Sequence, residues 1–166
     1  MSFQQTNLLQ SFSMKQLLIV AHAPSPNTQK LANQVLKGAL DAKLENTHIQ
    51  WIPPLKATAE DVLNCDAIIL GTTENLGYMS GALKDFFDRI YYPCLEQKQG
   101  LPFSYYIRAG HDGTGTHRAI QTICKGLKWK QIQPEVICKG KWDDNFLTNC
   151  NNLGESIACG LDFGIY

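Results

Sequence analysis

Short, continuously apolar runs alternate with longer segments of helical period along most of the chain, and this alternation restricts the fold more than any other feature. Gln16–Ala21 (Gln-Leu-Leu-Ile-Val-Ala) has no polar alternation, as expected of a strand covered on both faces. A turn, Ala23–Thr28, leads into a helical stripe of Leu31, Val35, Leu36, Ala39 and Leu40. Thr47–Ile52 alternates and runs into Pro53-Pro54, which places that strand near a sheet edge. Ala59–Asn64 has room for about two helical turns. Asp66–Gly71 reads as a second buried strand, closed by its glycine. Leu83, Phe86, Phe87, Ile90 and Tyr91 then recur at helical spacing, and Pro93 is expected to stop that helix. Pro102–Ala109 is the next strand, ending in the glycine-rich stretch Gly110–Gly115. Ala119, Ile120, Ile123, Cys124 and Leu127 mark a further helix, Glu135–Lys139 a last strand, and Asp143 onward a last helix.

Five strands alternating with helices specify the α/β class, because right-handed crossovers put the helices outside a parallel sheet. A barrel needs eight such units, so a doubly wound five-stranded parallel sheet of order 2-1-3-4-5 is expected. Sheets of this kind bind ligands beyond the carboxyl ends of their strands, where the strand order reverses. Three loops are thereby selected before any motif is considered: those after Ala21, Gly71 and Ala109. All three are rich in Gly, Ser, Thr, Asn or His.

Composition removes several classes of function. Fifteen Lys and Arg balance fifteen Asp and Glu, so no long-range field draws the protein to nucleic acid. The longest apolar runs, Leu17–Ala21 and Ala67–Leu70, fall far short of a membrane span. The six cysteines form no Cys-x-x-Cys pair and no cluster with histidine, which speaks against zinc and against any metal site. The polar opening stretch carries neither a signal-peptide nor a transit pattern. The expectation is a cytoplasmic protein with reduced thiols, a flexible segment over 1–13 and a single domain over 14–166. Trp51, Trp129 and Trp142 fall outside the three loops and are assigned to core or surface.

The first loop ends in Asn27-Thr28 and enters a helix directly. Unpaired first-turn N–H groups and the helix dipole suit an anion there, and hydroxyl side chains add donors. Neither the Gly-x-Gly-x-x-Gly of dinucleotide binders nor the Gly-Lys-Ser/Thr of triphosphatases is present, so a monophosphate is the natural occupant. The alternative is a helix cap made by the same residues, and the sequence leaves both open.

The stretch Asp66–Arg89, and within it Gly77-Tyr-Met-Ser-Gly-Ala-Leu-Lys continued by Phe86, Phe87, Asp88 and Arg89, resembles the flavin loop and following helix of flavodoxin-like FMN proteins. It is most similar to the NAD(P)H-dependent FMN and quinone reductases, including the tryptophan-repressor-binding-protein type. The resemblance covers nearly all of residues 15 to 162 and implies a flavodoxin-like fold with FMN, not FAD, as cofactor. It would place the FMN phosphate on Ser25, Asn27 and Thr28, and the flavin ring within Thr72, Thr73, Glu74, Asn75, Leu76, Gly77 and Tyr78. Ala109, Gly110, His111, Asp112 and Gly113 would form the third wall. His22, at the end of the first strand, is included in this set, with a structural role as its other reading. Pro24 and Pro26 depart from the family's first loop and remove two N–H groups that could meet a phosphate.

The resemblance implies an enzyme that moves a hydride from NAD(P)H to FMN and electrons onward to a quinone or similar small acceptor, in a homodimer or homotetramer. No side-chain catalytic residue is needed, since the cofactor carries the redox chemistry. Backbone N–H groups of the second and third loops would stabilise the negative charge that accompanies reduction. Two other functions share the fold. One is an electron carrier, which is usually strongly acidic; the other is a binding module that has lost its flavin.

Overall fold

The computed structural model describes residues 14–166. Strands β1 (Lys15–Ala21), β2 (Thr47–Ile52), β3 (Ala67–Asn75), β4 (Tyr78–Met79), β5 (Pro102–Ala109), β6 (Lys130–Gln131) and β7 (Val136–Lys139) form one sheet. Helices α1 (Pro26–Asp41), α2 (Ala59–Leu63), α3 (Gly81–Cys94), α4 (Thr114–Gly126) and α5 (Asn145–Asp162) alternate with them. The order is β2-β1-β3-β5 followed by β6, with β7 also paired to β5 and β4 to β3. All pairs are parallel except the β3–β4 hairpin. This is the expected doubly wound, flavodoxin-like sheet, with β2 at the edge its alternation predicted.

The alternating residues of each buried strand feed two separate cores. Leu18, Val20, Ile68, Leu70, Phe103, Tyr105 and Ile107 face α3 and α4, where Leu83, Phe86, Phe87, Ile90, Ile120 and Cys124 cover them. Leu17, Ile19, Ala67, Ile69 and Tyr106 face the other way, onto Leu31, Ala32 and Val35 of α1 and Leu153 and Ile157 of α5. Each such aliphatic or aromatic side chain contributes about 1.5–3 kcal/mol on burial, which is why continuous apolar strands need helices on both sides. The two helices of the second core meet backbone to backbone. A Cβ on Gly38 would land on the Asn151 carbonyl oxygen, and one on Gly154 on that of Val35.

Several boundaries differ from expectation for identifiable reasons. Gly71 does not close β3: Thr72 and Thr73 continue the pairing, to Ile107 and Arg108 of β5. The glycine is required instead by Tyr106, whose ring occupies the place of a side chain at 71. Pro93 lies inside α3, which ends one residue later at Cys94 with Leu95 as its C-cap; only the final turn is deprived of an N–H. The glycine-rich stretch is cut short because α4 begins at Thr114. Leu40 belongs to the helical stripe of α1 yet is 51% exposed, at the last turn of the helix. The last strand is divided. β6 pairs with the start of β5 and β7 with its end. At the break, Ser104 Oγ donates to the Gln133 carbonyl at 2.9 Å, and Pro134 has no N–H to offer a ladder. The expected segment 1–13 lies outside the described residues.

Candidate functional site

Three connections open at the carboxyl ends of β1, β3 and β5, and each is built differently. In the first, Ser25 is the N-cap of α1. Its hydroxyl accepts from Thr28 N at 3.2 Å, while Thr28 Oγ1 accepts from Ser25 N at 2.9 Å. The two hydroxyls lie 2.9 Å apart, and Thr28 Oγ1 also donates to the Ser25 carbonyl at 3.0 Å. Gln29 N is bonded to the same carbonyl. The residues expected at a phosphate therefore form a reciprocal cap, with Thr28 buried beneath it. Asn27 is exposed, and its N–H is the first-turn donor without a partner among the described residues. His22 N donates to the Gly71 carbonyl at 2.9 Å, linking this loop to β3. Burial lowers the His22 pKa and favours the neutral ring.

The second connection is a hairpin, not a loop. Glu74 pairs with Met79 and Asn75 with Tyr78, leaving Leu76 and Gly77 as the two corner residues. Both have positive φ, 53° and 75°, the combination of the two-residue turn that matches strand twist. Gly77 adopts it freely. Leu76 does so at a cost of about 1 kcal/mol or more, and its side chain is 106% exposed. Strain and an unburied leucine at one tip give the fold itself no benefit.

Thr72 is placed away from this surface. It is 1% exposed, accepts from Ser80 N at 3.0 Å and lies 3.1 Å from Ser80 Oγ. Ser80 in turn caps α3 by accepting from Leu83 N at 3.1 Å. Thr72 thus fastens the base of the hairpin to the following helix. Thr73 Oγ1 is buried with no hydrogen-bond partner, a vacancy that native interiors rarely leave. Glu74 Oε1 accepts from His111 N at 3.2 Å and so ties the second connection to the third.

In the third connection Ala109 is buried, Gly110, His111 and Asp112 are exposed, and Gly113 is the left-handed N-cap of α4. Asp112 Oδ1 accepts from Thr114 N at 3.0 Å, which holds its carboxyl below the usual range. Gly115, in the first turn of α4, has no room for a side chain because the Gly77 carbonyl oxygen fills that space. The hairpin tip therefore rests on α4. A Cβ at Gly77 or Gly110 meets nothing within 4 Å, so the surface beside both glycines is open.

The structure brings Thr73, Glu74, Asn75, Leu76, Gly77 and Tyr78 together with Gly110 and His111 through the Glu74–His111 bond, and joins His22 to them through Gly71. It turns Thr72 inward and binds Ser25 and Thr28 to one another. Sequence reasoning missed three contributors. Ser80 and Gly115 shape the hairpin from outside it. Arg108 underlies the third connection: it donates to the Ala109 and Cys138 carbonyls at 2.8 and 2.9 Å and lies over the Trp142 and Phe146 rings. The parallel pairing of Thr73 with Arg108 was the available signal for the last, once β3 is carried past Gly71.

FMN fits this arrangement best at its ring. The second and third connections present exposed backbone and a strained tip around open space. Its phosphate end would meet Asn27 and the N-terminal dipole of α1, without a lysine or arginine between residues 22 and 29. Among the described residues no cluster of His, Cys, Asp and Glu could hold a metal ion, and no helix is long and apolar enough to cross a membrane.

Comparison with known proteins agrees with the fold. The structure superposes on a flavodoxin from the domain Archaea with a TM-score of 0.72 at 19% identity, covering 88% of this chain and 98% of that one. A WrbA-like flavodoxin from Agrobacterium tumefaciens gives 0.68 at 16%, covering 87% and 96%. At such identities the likeness is one of fold. A flavodoxin of Aquifex aeolicus is 30% identical over 110 residues, 66% of this chain and 58% of that relative's length. The family model described as NADPH-dependent FMN reductase matches residues 30–143. That span holds the hairpin and the third connection and begins just past the capped first loop. FMN is the cofactor of this family, and the chain, matched over more than half its length, belongs to the NADPH-dependent FMN reductase family.

Proposed function

We propose that the protein is an FMN-dependent oxidoreductase that takes a hydride from NAD(P)H and delivers electrons to a quinone or similar small acceptor. The observation that carries this reading is the β3–β4 hairpin, a strained, exposed Leu76-Gly77 tip tied by Glu74 to the third connection. A connection that only linked strand to helix would need neither the strain nor the extension. FMN supplies the redox chemistry when bound. The chain positions the ring between the hairpin and the exposed backbone of Gly110–His111, where any backbone N–H that reaches the ring would favour the negative charge that reduction brings. Asn27 and the start of α1 would hold the phosphate. The exposed apolar tip offers an acceptor a surface beside the ring.

A balanced net charge supports an enzyme over an electron carrier, since carriers dock on basic partners through an acidic surface. The Aquifex flavodoxin relative keeps the carrier reading as the alternative. Reconstitution with FMN, followed by NADPH and NADH oxidation against a panel of quinones, tests the proposal. Turnover with a quinone supports it. Flavin that binds but is not reduced by either nicotinamide nucleotide would make the protein a carrier, and failure to acquire flavin would make it a binding module.

A further inference from the structure

A cavity of about 420 Å3 lies on the opposite side of β1 from the hairpin, between the start of α1 and the end of β2. Its walls include His22, Pro24, Gln29, Asn33, Trp51 and Pro53. The size lies within the ordinary range of small-molecule sites, about 300–1,000 Å3. Of the residues assigned to the flavin, only His22 lines it. Trp51 is held in place, because its Nε1–H donates to the Ala21 carbonyl at 3.1 Å. The indole and two proline rings supply rigid, flat apolar walls.

The polar groups are neutral and directional. Gln29 and Asn33 are one helical turn apart on α1, so both carboxamides lie on one face. Both residues are exposed, and neither side chain has a hydrogen-bond partner among the described residues. His22 adds a ring that its half-buried position keeps uncharged. An anion has nothing to bind here: no lysine or arginine lines the cavity, Pro24 and Pro26 have no N–H, and the Ser25 and Thr28 N–H groups are committed to the cap. A metal ion would find one imidazole and no carboxylate.

Flat walls with paired amides match a planar heterocycle whose edge alternates donors and acceptors. Side-chain carboxamides read the amino and ring-nitrogen edge of adenine in this bidentate way, and aromatic faces stack on bases. We infer that this cavity is an adenine-binding site that takes the adenosine moiety of a nucleotide, with the base against Trp51 and its edge on Gln29 and Asn33. The source is either a free adenine nucleotide or the adenylate end of a nicotinamide dinucleotide. The site meets the flavin set only at His22 and does not rest on the proposed redox activity.

The test uses the full chain, with FMN binding measured in parallel by flavin fluorescence. Adenosine, AMP, GMP and NADPH are titrated by calorimetry up to about 1 mM. Adenosine and AMP are expected to bind with similar affinity, since no cation reads the phosphate, and GMP at least tenfold more weakly. Asn33→Ala and Gln29→Ala, on the exposed face of α1, should each weaken AMP about tenfold while leaving melting temperature and FMN affinity unchanged. Trp51→Ala should abolish binding, and the two α1 variants carry the test if that variant does not fold. NADPH binding with the same variant sensitivity identifies the dinucleotide as the source, and AMP binding without NADPH identifies the free nucleotide. No AMP binding, NADPH binding without AMP, indifference to Asn33→Ala and Gln29→Ala, or displacement of AMP by FMN would each overturn the assignment.

Discussion

Thr72 offers the sharpest distinction between a side chain that holds a flavin and one that holds the fold. Thr72→Val keeps the shape and removes only the hydroxyl. In the wild type that oxygen accepts from Ser80 N at 3.0 Å, lies 3.1 Å from Ser80 Oγ and donates to the Thr73 carbonyl at 2.9 Å. Thr72 and Ser80 are each 1% exposed, so water cannot replace the lost partner. Leaving a buried N–H unsatisfied costs about 1–3 kcal/mol. The expected loss is ~2 kcal/mol, which for a protein of this size corresponds to about 4–8 °C in Tm. Urea unfolding of the flavin-free protein measures it directly. A cycle with Ser80→Ala should be strongly non-additive, because both variants disrupt one network. FMN affinity should fall less than tenfold, through loosening of the hairpin base. If Thr72→Val leaves stability within about 0.5 kcal/mol of wild type and weakens FMN a hundredfold, the hydroxyl faces the flavin and the staple is misassigned.

Other outcomes follow from the same contacts. Gly77→Val should weaken FMN far more than it destabilises the fold. Its Cβ has open space, so the fold loses only the strain of positive φ, about 1–2 kcal/mol, whereas the side chain would project beside the ring; paired FMN titrations and melting curves decide this. Thr28→Ala removes half of the reciprocal cap and should lower apoprotein stability by about 0.5–2 kcal/mol, with any loss of FMN affinity read separately by titration. His22 contributes a pH dependence whose sign is fixed by burial. Its pKa is lowered in the folded state from 6.5, so the unfolded chain takes up the proton first. Stability is thus complete above that value and declines as pH falls through the window below it; His22→Gln should flatten that limb of a stability-versus-pH profile. A thiol reagent should modify Cys159 ahead of the others, since it is the half-exposed one of the six cysteines, but slowly, because burial and the nearby Glu155 and Asp162 raise its pKa; the remaining five should react only on unfolding. Burial pushes the Cys65 thiol up to about 12.

The sheet was legible because both of its determinants are local in sequence. Continuous apolar runs mark strands buried on two faces, and helical stripes mark their covers. The misread boundaries depend on residues distant in sequence. Gly71 looked like a strand end, but its lack of a side chain answers to the Tyr106 ring on the neighbouring strand. The break in the last strand depends on Ser104, about thirty residues from the carbonyls it satisfies. At the site, the motif around Gly77 located the hairpin, yet sequence alone does not say which way a threonine points. Thr72 and Thr73 are adjacent and alternate faces, so one is fastened to Ser80 while the other is left without a partner. The first loop was ambiguous for a different reason: Ser25 and Thr28 have the chemistry of both a cap and an anion site, and the choice is made by their mutual hydrogen bonds.

The divided last strand also bears on how the molecule behaves in crowded solution. A continuous outer strand carries a row of unpaired N–H and C=O groups that can recruit a foreign strand. Here the far edge consists of pieces of two and four residues, Lys130–Gln131 and Val136–Lys139. Pro134 stands between them, and the local carbonyls turn back to Ser104. Neither piece is long enough to template an intermolecular ladder. The opposite edge, Thr47–Ile52, is unbroken for six residues and, among the described residues, guarded only at its end by Pro53-Pro54. Among the described residues, any tendency to aggregate through strand addition is therefore concentrated at this edge, and a lysine at an exposed position such as Gln50 is where protection against it would be added.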